Sequence, residues 1–253
     1  MHNRYISKLI LFFPIAAIFF ISGCSNTESA NINTAGMKAE ITATANGSGS
    51  TEINVDLSVG SGGIFATGVE LSSGDTLTAT DGSTTRTLVK DSSLIGDVEY
   101  ETTFSTEAED TQFTVSLIRN SDDNAESSVV TLPAPYTLTA PTSVSGNGNT
   151  TVALSWTPFG ESDPMTLEVD CKCTKTNGGD TYLINSLTVT DDGSENYSVR
   201  ALIDEDDPTV YDLGCDIDIT MKRTRTGTLD AGYGEGGYIR AVQAREKRIS
   251  YTP

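Results

Sequence analysis

The sequence predicts an all-β protein: an export signal and a flexible tether, followed by two tandem antiparallel β-sandwich domains. Three observations lead to this prediction. Short segments in which apolar and polar residues alternate are separated by glycine, asparagine, aspartate and serine. No long segment shows the apolar period of an amphipathic helix. About 230 residues follow the signal, a length that suits two domains of ordinary size.

The first 23 residues have the organisation of an export signal. Arg4 and Lys8 precede an apolar run over residues 9–21, which is shorter than the roughly 20 apolar residues of a membrane-spanning helix. The run ends in Ile-Ser-Gly-Cys at residues 21–24, which resembles the lipobox of bacterial lipoproteins.

The lipobox resemblance implies that residues 1–23 are removed and that Cys24 becomes the lipidated first residue. The membrane is then a partner through covalent lipid, because each buried methylene contributes about 0.8 kcal/mol to anchoring. Ser25 stands where an aspartate would indicate inner-membrane retention, so the resemblance favours the outer membrane. The polar sequence that follows lacks periodicity and predicts a flexible tether within residues 24–36.

Charge and composition exclude several functions. The net charge is −19 and becomes −21 after residues 1–23 are removed, so the surface repels nucleic acid. The one histidine, His2, leaves with the signal, which removes the usual general base and any Ser-His-Asp or Cys-His arrangement. The sequence also has no phosphate-binding or dinucleotide motif. We therefore predict that the protein is not an enzyme and uses no cofactor or metal.

The first predicted domain covers residues 37–133. Its alternating segments place every second side chain on a buried face. The apolar positions are Ala39, Ile41, Ala43, Ala45, Ile53, Val55, Leu57, Val69, Leu71, Val98, Tyr100, Phe104, Phe113, Val115, Leu117 and residues 129–132. Roughly six to eight strands in this length resemble an immunoglobulin-like sandwich. Residues 133–135, Pro-Ala-Pro, form the predicted boundary and hinge, because proline interrupts central strands and stiffens linkers.

The second predicted domain covers residues 134–253. Residues 151–156 alternate and end in Trp156, a stretch that resembles the B strand of fibronectin type III domains, where a tryptophan anchors the core. Tyr211 lies near the position of that family's tyrosine corner. Further strands are predicted at residues 165–173, 211–221 and 239–251.

Three cysteines remain once Cys24 carries lipid: Cys171, Cys173 and Cys215. An exported chain reaches an oxidising compartment, and neighbouring strands would bring these thiols together. We predict that Cys215 pairs with either Cys171 or Cys173, and the sequence leaves the choice open. Closing a loop of this size stabilises a fold by roughly 4 kcal/mol in chain-entropy terms. A metal centre is disfavoured, because neither histidine nor a fourth thiolate is present.

The glycine-rich segment 226–238 is the predicted recognition loop. Its Tyr233 and Tyr238 are suited to stacking on a sugar or a peptide, and sandwich domains often recognise ligands through loops at one end. The alternative is a solvent-exposed hairpin tip without a ligand.

Half of the fourteen basic residues that follow the signal flank this loop, and Arg223, Arg225 and Arg240 are its further ligand-binding candidates. The seven are Lys222, Arg223, Arg225, Arg240, Arg245, Lys247 and Arg248. They either dock an acidic partner or a lipid-linked phosphate, or neutralise acidic neighbours across strands.

The sequence therefore predicts an envelope-anchored, non-enzymatic binding, adhesion or scaffold lipoprotein whose partner is a protein or a glycan. One alternative is a periplasm-facing subunit of an envelope assembly. A less favoured one is a glycoside hydrolase with two carboxyl groups about 5 to 9 Å apart.

Overall fold

The computed structural model describes residues 26–60, 66–91, 98–160, 164–175 and 178–253. The predicted signal and Cys24 lie outside these residues. The all-β prediction is confirmed, since the one α-helix among the described residues is five residues long, Val199–Ile203. Within the described ranges, no helix has the length and apolar character needed to cross a membrane.

We number the described strands β1 to β18 in chain order. Their bounds are Thr27–Glu28, Lys38–Ala45, Thr51–Val59, Thr67–Glu70, Thr76–Thr80, Thr85–Thr87, Val89–Lys90, Glu99–Phe104, Gln112–Ile118, Ala125–Thr131, Leu138–Thr139, Ser143–Ser145, Thr151–Trp156, Met165–Lys175, Gly179–Val189, Ser194–Ser198, Cys215–Thr226 and Gly237–Thr252.

One large sheet runs through the molecule in the order β1-β4-β3-β2-β18-β17-β14-β15, and further strands join beside it. The long hairpin of β17 and β18, strands of 12 and 16 residues, lies in the middle of this sheet. β18 pairs in parallel with β2 over Gly237–Gln243 and with β12 over Ser250–Thr252. A single strand therefore belongs to both ends of the molecule.

Two smaller sheets cover the ends of the large sheet and enclose two apolar cores. The sheet β10-β9-β5-β6 covers the first core, and β11-β13-β16 covers the second. Ile239 and Ala241 of β18 pack in the first core, whereas Ile249 and Tyr251 pack in the second. Their spacing by even numbers of residues puts all four on the same face of β18.

The expected linker at residues 133–135 is packed between the cores. Pro133 and Ala134 are buried, and their carbonyl oxygens accept hydrogen bonds from Gln243 and Arg223. The prediction of a hinge here is wrong, because side chains of the β17–β18 hairpin hold the segment in place.

The expected tether is also docked, at least from residue 27 onwards. β1 pairs in parallel with β4, and two 3-10 turns follow at Ser29–Asn31 and Thr34–Gly36. The Ser29 and Thr34 side chains are buried. The prediction of a flexible tether is therefore wrong for residues 27–36.

Arg119 holds this N-terminal segment. Its Nη2 donates to the carbonyl oxygens of Ser29 and Ile32 at 2.7 and 3.0 Å, and its Nη1 donates to Thr34 Oγ1 at 3.0 Å. The Nε of Arg119 lies 2.8 Å from a carboxylate oxygen of Asp75, and neither side chain is more than 2 % exposed. This segment has no alternating apolar pattern, and hydrogen bonds from one buried arginine side chain hold it in place.

Candidate functional site

The hairpin predicted to carry recognition forms the joint between the two cores. On one face of β17, Met221 of the second core is followed by Arg223, and the pairing partner of Arg223 on β18 is Gln243. Arg245 lies next to Gln243 on the same face of β18. Both strands thus change from apolar to polar side chains at the same level, between the cores.

Arg223 is the centre of the joint and is 1 % exposed. Its guanidinium donates to the carbonyl oxygens of Ala134 and Thr157 at 2.7 and 2.9 Å and to Asp191 Oδ1 at 2.8 Å. The indole nitrogen of Trp156 donates to the same Asp191 oxygen at 2.9 Å. Bonds to several partners offset the cost of burying the charges, so this ion pair joins the hairpin to three other segments.

Tyr136 fills the space beside this ion pair. Its ring makes cation–π contacts with two guanidinium groups, whose Cζ atoms lie 4.7 Å (Arg223) and 5.3 Å (Arg245) from the ring centroid. The hydroxyl of Tyr136 donates to the carbonyl oxygen of Met221 and lies 3.4 Å from that of Gln243. Burial raises the pKa of Tyr136, which keeps it a neutral donor.

The far end of β17 contacts the first core. Arg225 Nη1 lies 2.7 Å from Asp110 Oδ1. Beyond the strand, Thr228 and Val129 exchange two backbone hydrogen bonds of 2.8 Å. A Cβ on Gly227 would lie 2.2 Å from the carbonyl oxygen of Val129, so the close approach of these two backbones requires glycine.

Tyr233 is 4 % exposed and belongs to the first core. The prediction that its ring is available for stacking on a ligand is therefore wrong. The loop folds back onto the N-terminal segment, where a Cβ on Gly234 would lie 2.3 Å from the carbonyl oxygen of Ala35. Burial, followed by the charge of Asp230, raises the pKa of Tyr233.

Tyr238 and Arg240 lie at the surface of the first half of β18. The Arg240 guanidinium lies 4.7 Å from the centroid of the Tyr238 ring, and its Nε donates to Thr42 Oγ1 at 3.3 Å. The predicted ligand-binding set is therefore divided. Tyr238 and Arg240 stay at the surface, Arg223 and Tyr233 are buried, and Arg225 is half-buried in an ion pair with the exposed Asp110.

Other basic residues of the predicted docking face neutralise acids on the neighbouring strand. Lys222 pairs with Glu168, and Arg248 donates two hydrogen bonds, of 2.6 and 2.7 Å, to the Asp218 carboxylate. The hydrogen bonds from Arg248 lower the pKa of Asp218. These contacts favour the structural alternative over a docking role for this cluster.

A recess of about 510 Å³ lies at the joint, where the large sheet is interrupted. β2 and β12 pair with opposite ends of β18, so Ala244–Ile249 have a paired strand on one side only, within the described part of the chain. Residues 46–48 and 136–138 form the walls, and Arg245 and Lys247 also line the recess.

The disulfide lies in the second core and joins Cys173 to Cys215, directly opposite residues of β14 and β17. The structure thereby selects one of the two pairings that the sequence left open. Cys171 is a buried free thiol whose Sγ is 4.0 Å from that of Cys173. Burial raises the pKa of Cys171 to about 11, so this thiol stays protonated at neutral pH.

The fold and the joint define an all-β protein in which two sandwich cores share one sheet. No protein-family model matches the chain, and no curated protein matches its sequence. Among solved structures, the FN1–FN3 domains of chicken CNTN1 are similar, with 9 % identity, a TM-score of 0.31, and coverage of 90 % of this chain and 68 % of that chain. A likeness of this extent carries no conclusion about ligands or activity.

Proposed function

We propose that the protein is a non-enzymatic scaffold or binding lipoprotein of the bacterial envelope, anchored by lipid on Cys24. The observation that carries the proposal is the joint. The hairpin of β17 and β18 belongs to both cores, and the buried Arg223–Asp191 pair fixes the segment between them. A body built in this way holds a protein- or glycan-binding surface at a fixed orientation to its anchor, which is what a scaffold requires.

The docked N-terminal segment limits how far the body can lie from the membrane. The three peptide links from Cys24 to Thr27 span at most about 11 Å of extended chain. β1 then pairs with β4, and Arg119 fixes the turns that follow. Lipid on Cys24 would therefore hold the first core close to the bilayer surface.

A hydrolase that uses two carboxyl groups is less well supported. Its general acid needs a raised pKa, and Glu99 has one because of burial and the charge of Asp56. Glu99 does not line the recess at the joint, whose one carboxylate is that of Glu246. We expect no hydrolysis of chromogenic glycosides by the wild-type chain. If the wild-type chain does hydrolyse them and Glu99→Gln abolishes this activity, the hydrolase would take the place of the scaffold as the proposed function.

Metabolic labelling with a palmitate analogue tests the anchor. The wild-type chain is expected to incorporate the label and to fractionate with membranes, and Cys24→Ser should lose both properties. A wild-type chain that stays unlabelled and soluble would reject the proposal.

Epitope tags inserted after Gly82 and Gly178 test which side of the outer membrane the body faces. A Cβ at either glycine would meet no atom within 4 Å, so these turns have room for an insertion. Protease cleavage on intact cells would favour adhesion or ligand capture at the surface. Protection that ends when the outer membrane is permeabilised would favour the periplasm-facing assembly subunit.

A further inference from the structure

The large sheet ends in a long strand with one open edge. β15 covers Gly179–Val189 and pairs with β14 on one side, and no described strand pairs with its other side. The Ser186 amide donates to the neighbouring Asn185 side chain at 2.8 Å. Because backbone groups of successive residues point to opposite sides of a strand, the amides and carbonyls of even-numbered residues face the open edge.

This edge carries the two most exposed large apolar side chains of the described residues. Tyr182 is 71 % exposed and Ile184 is 82 % exposed, and both project from the outer face of the sheet. Open edges in native sheets are usually protected by lysine, proline or a bulge. β15 contains no lysine or proline and pairs with β14 without a register shift.

The edge is also nearly uncharged, in a chain whose net charge is −19. Its one charged residue is Asp180, whose carboxylate lies 2.9 Å from the Lys172 ammonium on β14. A second acidic copy of this chain can therefore approach β15 with less repulsion than it would meet at a strand rich in acids.

We propose that β15 is a dimerisation edge, to which a second copy of the chain adds its own β15 in antiparallel orientation. Ile184 is the midpoint of Gly179–Val189, so a two-fold axis at Ile184 pairs the strand over its whole length. In this register Ile184 lies opposite itself and Tyr182 lies opposite Ser186. Asp180 lies opposite Thr188, so no like charges within the strand face each other.

The same strand thus supplies both halves of a self-complementary contact. Pairing occupies the open backbone groups and brings the Tyr182 and Ile184 side chains of the two copies together. The large sheets of the two copies become one continuous sheet.

Sedimentation velocity on the mature chain with Cys24→Ser, over a range of concentrations, tests the proposal. We expect the parent chain to sediment as a dimer and its Ile184→Lys variant as a monomer, because two like charges would then face each other. Leu213→Lys is the matched control, since Leu213 is 56 % exposed and lies outside β15. A parent chain that stays monomeric, or a dimer that survives Ile184→Lys, overturns the proposal.

A mixing experiment tests the register. Ile184→Lys and Ile184→Asp should each be monomeric alone and should form a dimer when mixed, because residue 184 then meets an opposite charge at the axis. This result is specific to a second copy, and a different protein at the edge would not produce it. Failure of the two variants to associate overturns the register centred on Ile184.

Discussion

Two buried arginine side chains fix segments that contribute few side chains to the apolar cores. Arg223 fixes the boundary between the cores, and Arg119 fixes the N-terminal segment. Each guanidinium donates to backbone carbonyl oxygens and to one carboxylate, which compensates for lost hydration. Removing either arginine leaves these acceptors buried without their donor.

Replacing Arg223 with methionine should lower the free energy of unfolding by about 3 to 5 kcal/mol, because Asp191 would stay buried without its counter-ion. The Asp191 side chain is 2 % exposed. Arg248→Met is the control and should have no measurable effect, since its pair with Asp218 is exposed. Urea unfolding measures both changes, and losses of equal size would contradict this role for Arg223.

Docking of the N-terminal segment should depend on pH through Asp75. Burial opposes ionisation of Asp75, but hydrogen bonds from the Asn120 amide, the Ser29 hydroxyl and Arg119 outweigh it and lower the pKa. Because the pKa of Asp75 is lower in the folded state, the ionised carboxylate stabilises the fold fully at pH values above its unfolded-state pKa of about 3.9. This stabilisation is lost as the pH falls through the folded-state pKa.

We therefore expect amide hydrogen exchange in residues 28–36, corrected for intrinsic rates, to accelerate as the pH falls below about 4. Asp75→Asn should remove most of this acceleration. The same pH dependence in both proteins would show that another group controls docking.

Residue roles were only partly predictable. Strand alternation places Arg223 on the same face as the buried Ile219 and Met221, and this signal for a buried arginine was present in the sequence. Arginine is rarely fully buried, so composition alone favours a surface role for Arg223 despite this signal. The partners Asp191 and Ala134 are distant in sequence, so no local pattern identifies them.

At the scale of elements, the β17–β18 hairpin is the feature on which the architecture depends. Its strands pair with each other from Cys215 to Thr226 without a register shift. The bridge between Val129 and Thr228 then ties the loop to the first core. The contact is made between backbones, which is why glycine stands at position 227.

Gly227→Ala should detach the end of the hairpin from β10 and expose the first core, because the new methyl group would overlap the Val129 carbonyl. We expect faster hydrogen exchange in residues 226–236 and a lower melting temperature. Gly179→Ala is the matched control, since a Cβ there meets nothing within 4 Å. Similar behaviour of the two variants would contradict the close approach.

Apolar alternation correctly predicted strands such as β2, β9, β13 and β14. It missed β15, whose sequence Thr-Tyr-Leu-Ile-Asn-Ser at 181–186 mixes large apolar residues on both faces. It also did not reveal that β18 pairs with β2, because strand pairing over such a sequence distance depends on tertiary packing and not on local propensity. The predicted β-sandwich fold is therefore confirmed, but the sequence did not reveal that the two cores share the β17–β18 hairpin.

At the scale of the whole molecule, the shared strand makes the cores parts of one body. The chain passes between them at residues 133–135 and again through both strands of the hairpin, and buried polar side chains fill the space between. A scaffold needs this fixed geometry, whereas two domains on a proline linker would move independently.

A distance distribution between the two cores, measured by pulsed electron paramagnetic resonance, tests most directly whether the joint is rigid. Spin labels at Ser83→Cys, in the turn between β5 and β6, and at Asn196→Cys, on β16, occupy exposed positions beside the two cores. The buried, protonated Cys171 should not be labelled. We expect one narrow distance distribution in the wild-type background, which Gly227→Ala broadens. A broad distribution in the wild-type background would mean that the cores move independently and would contradict the rigid joint.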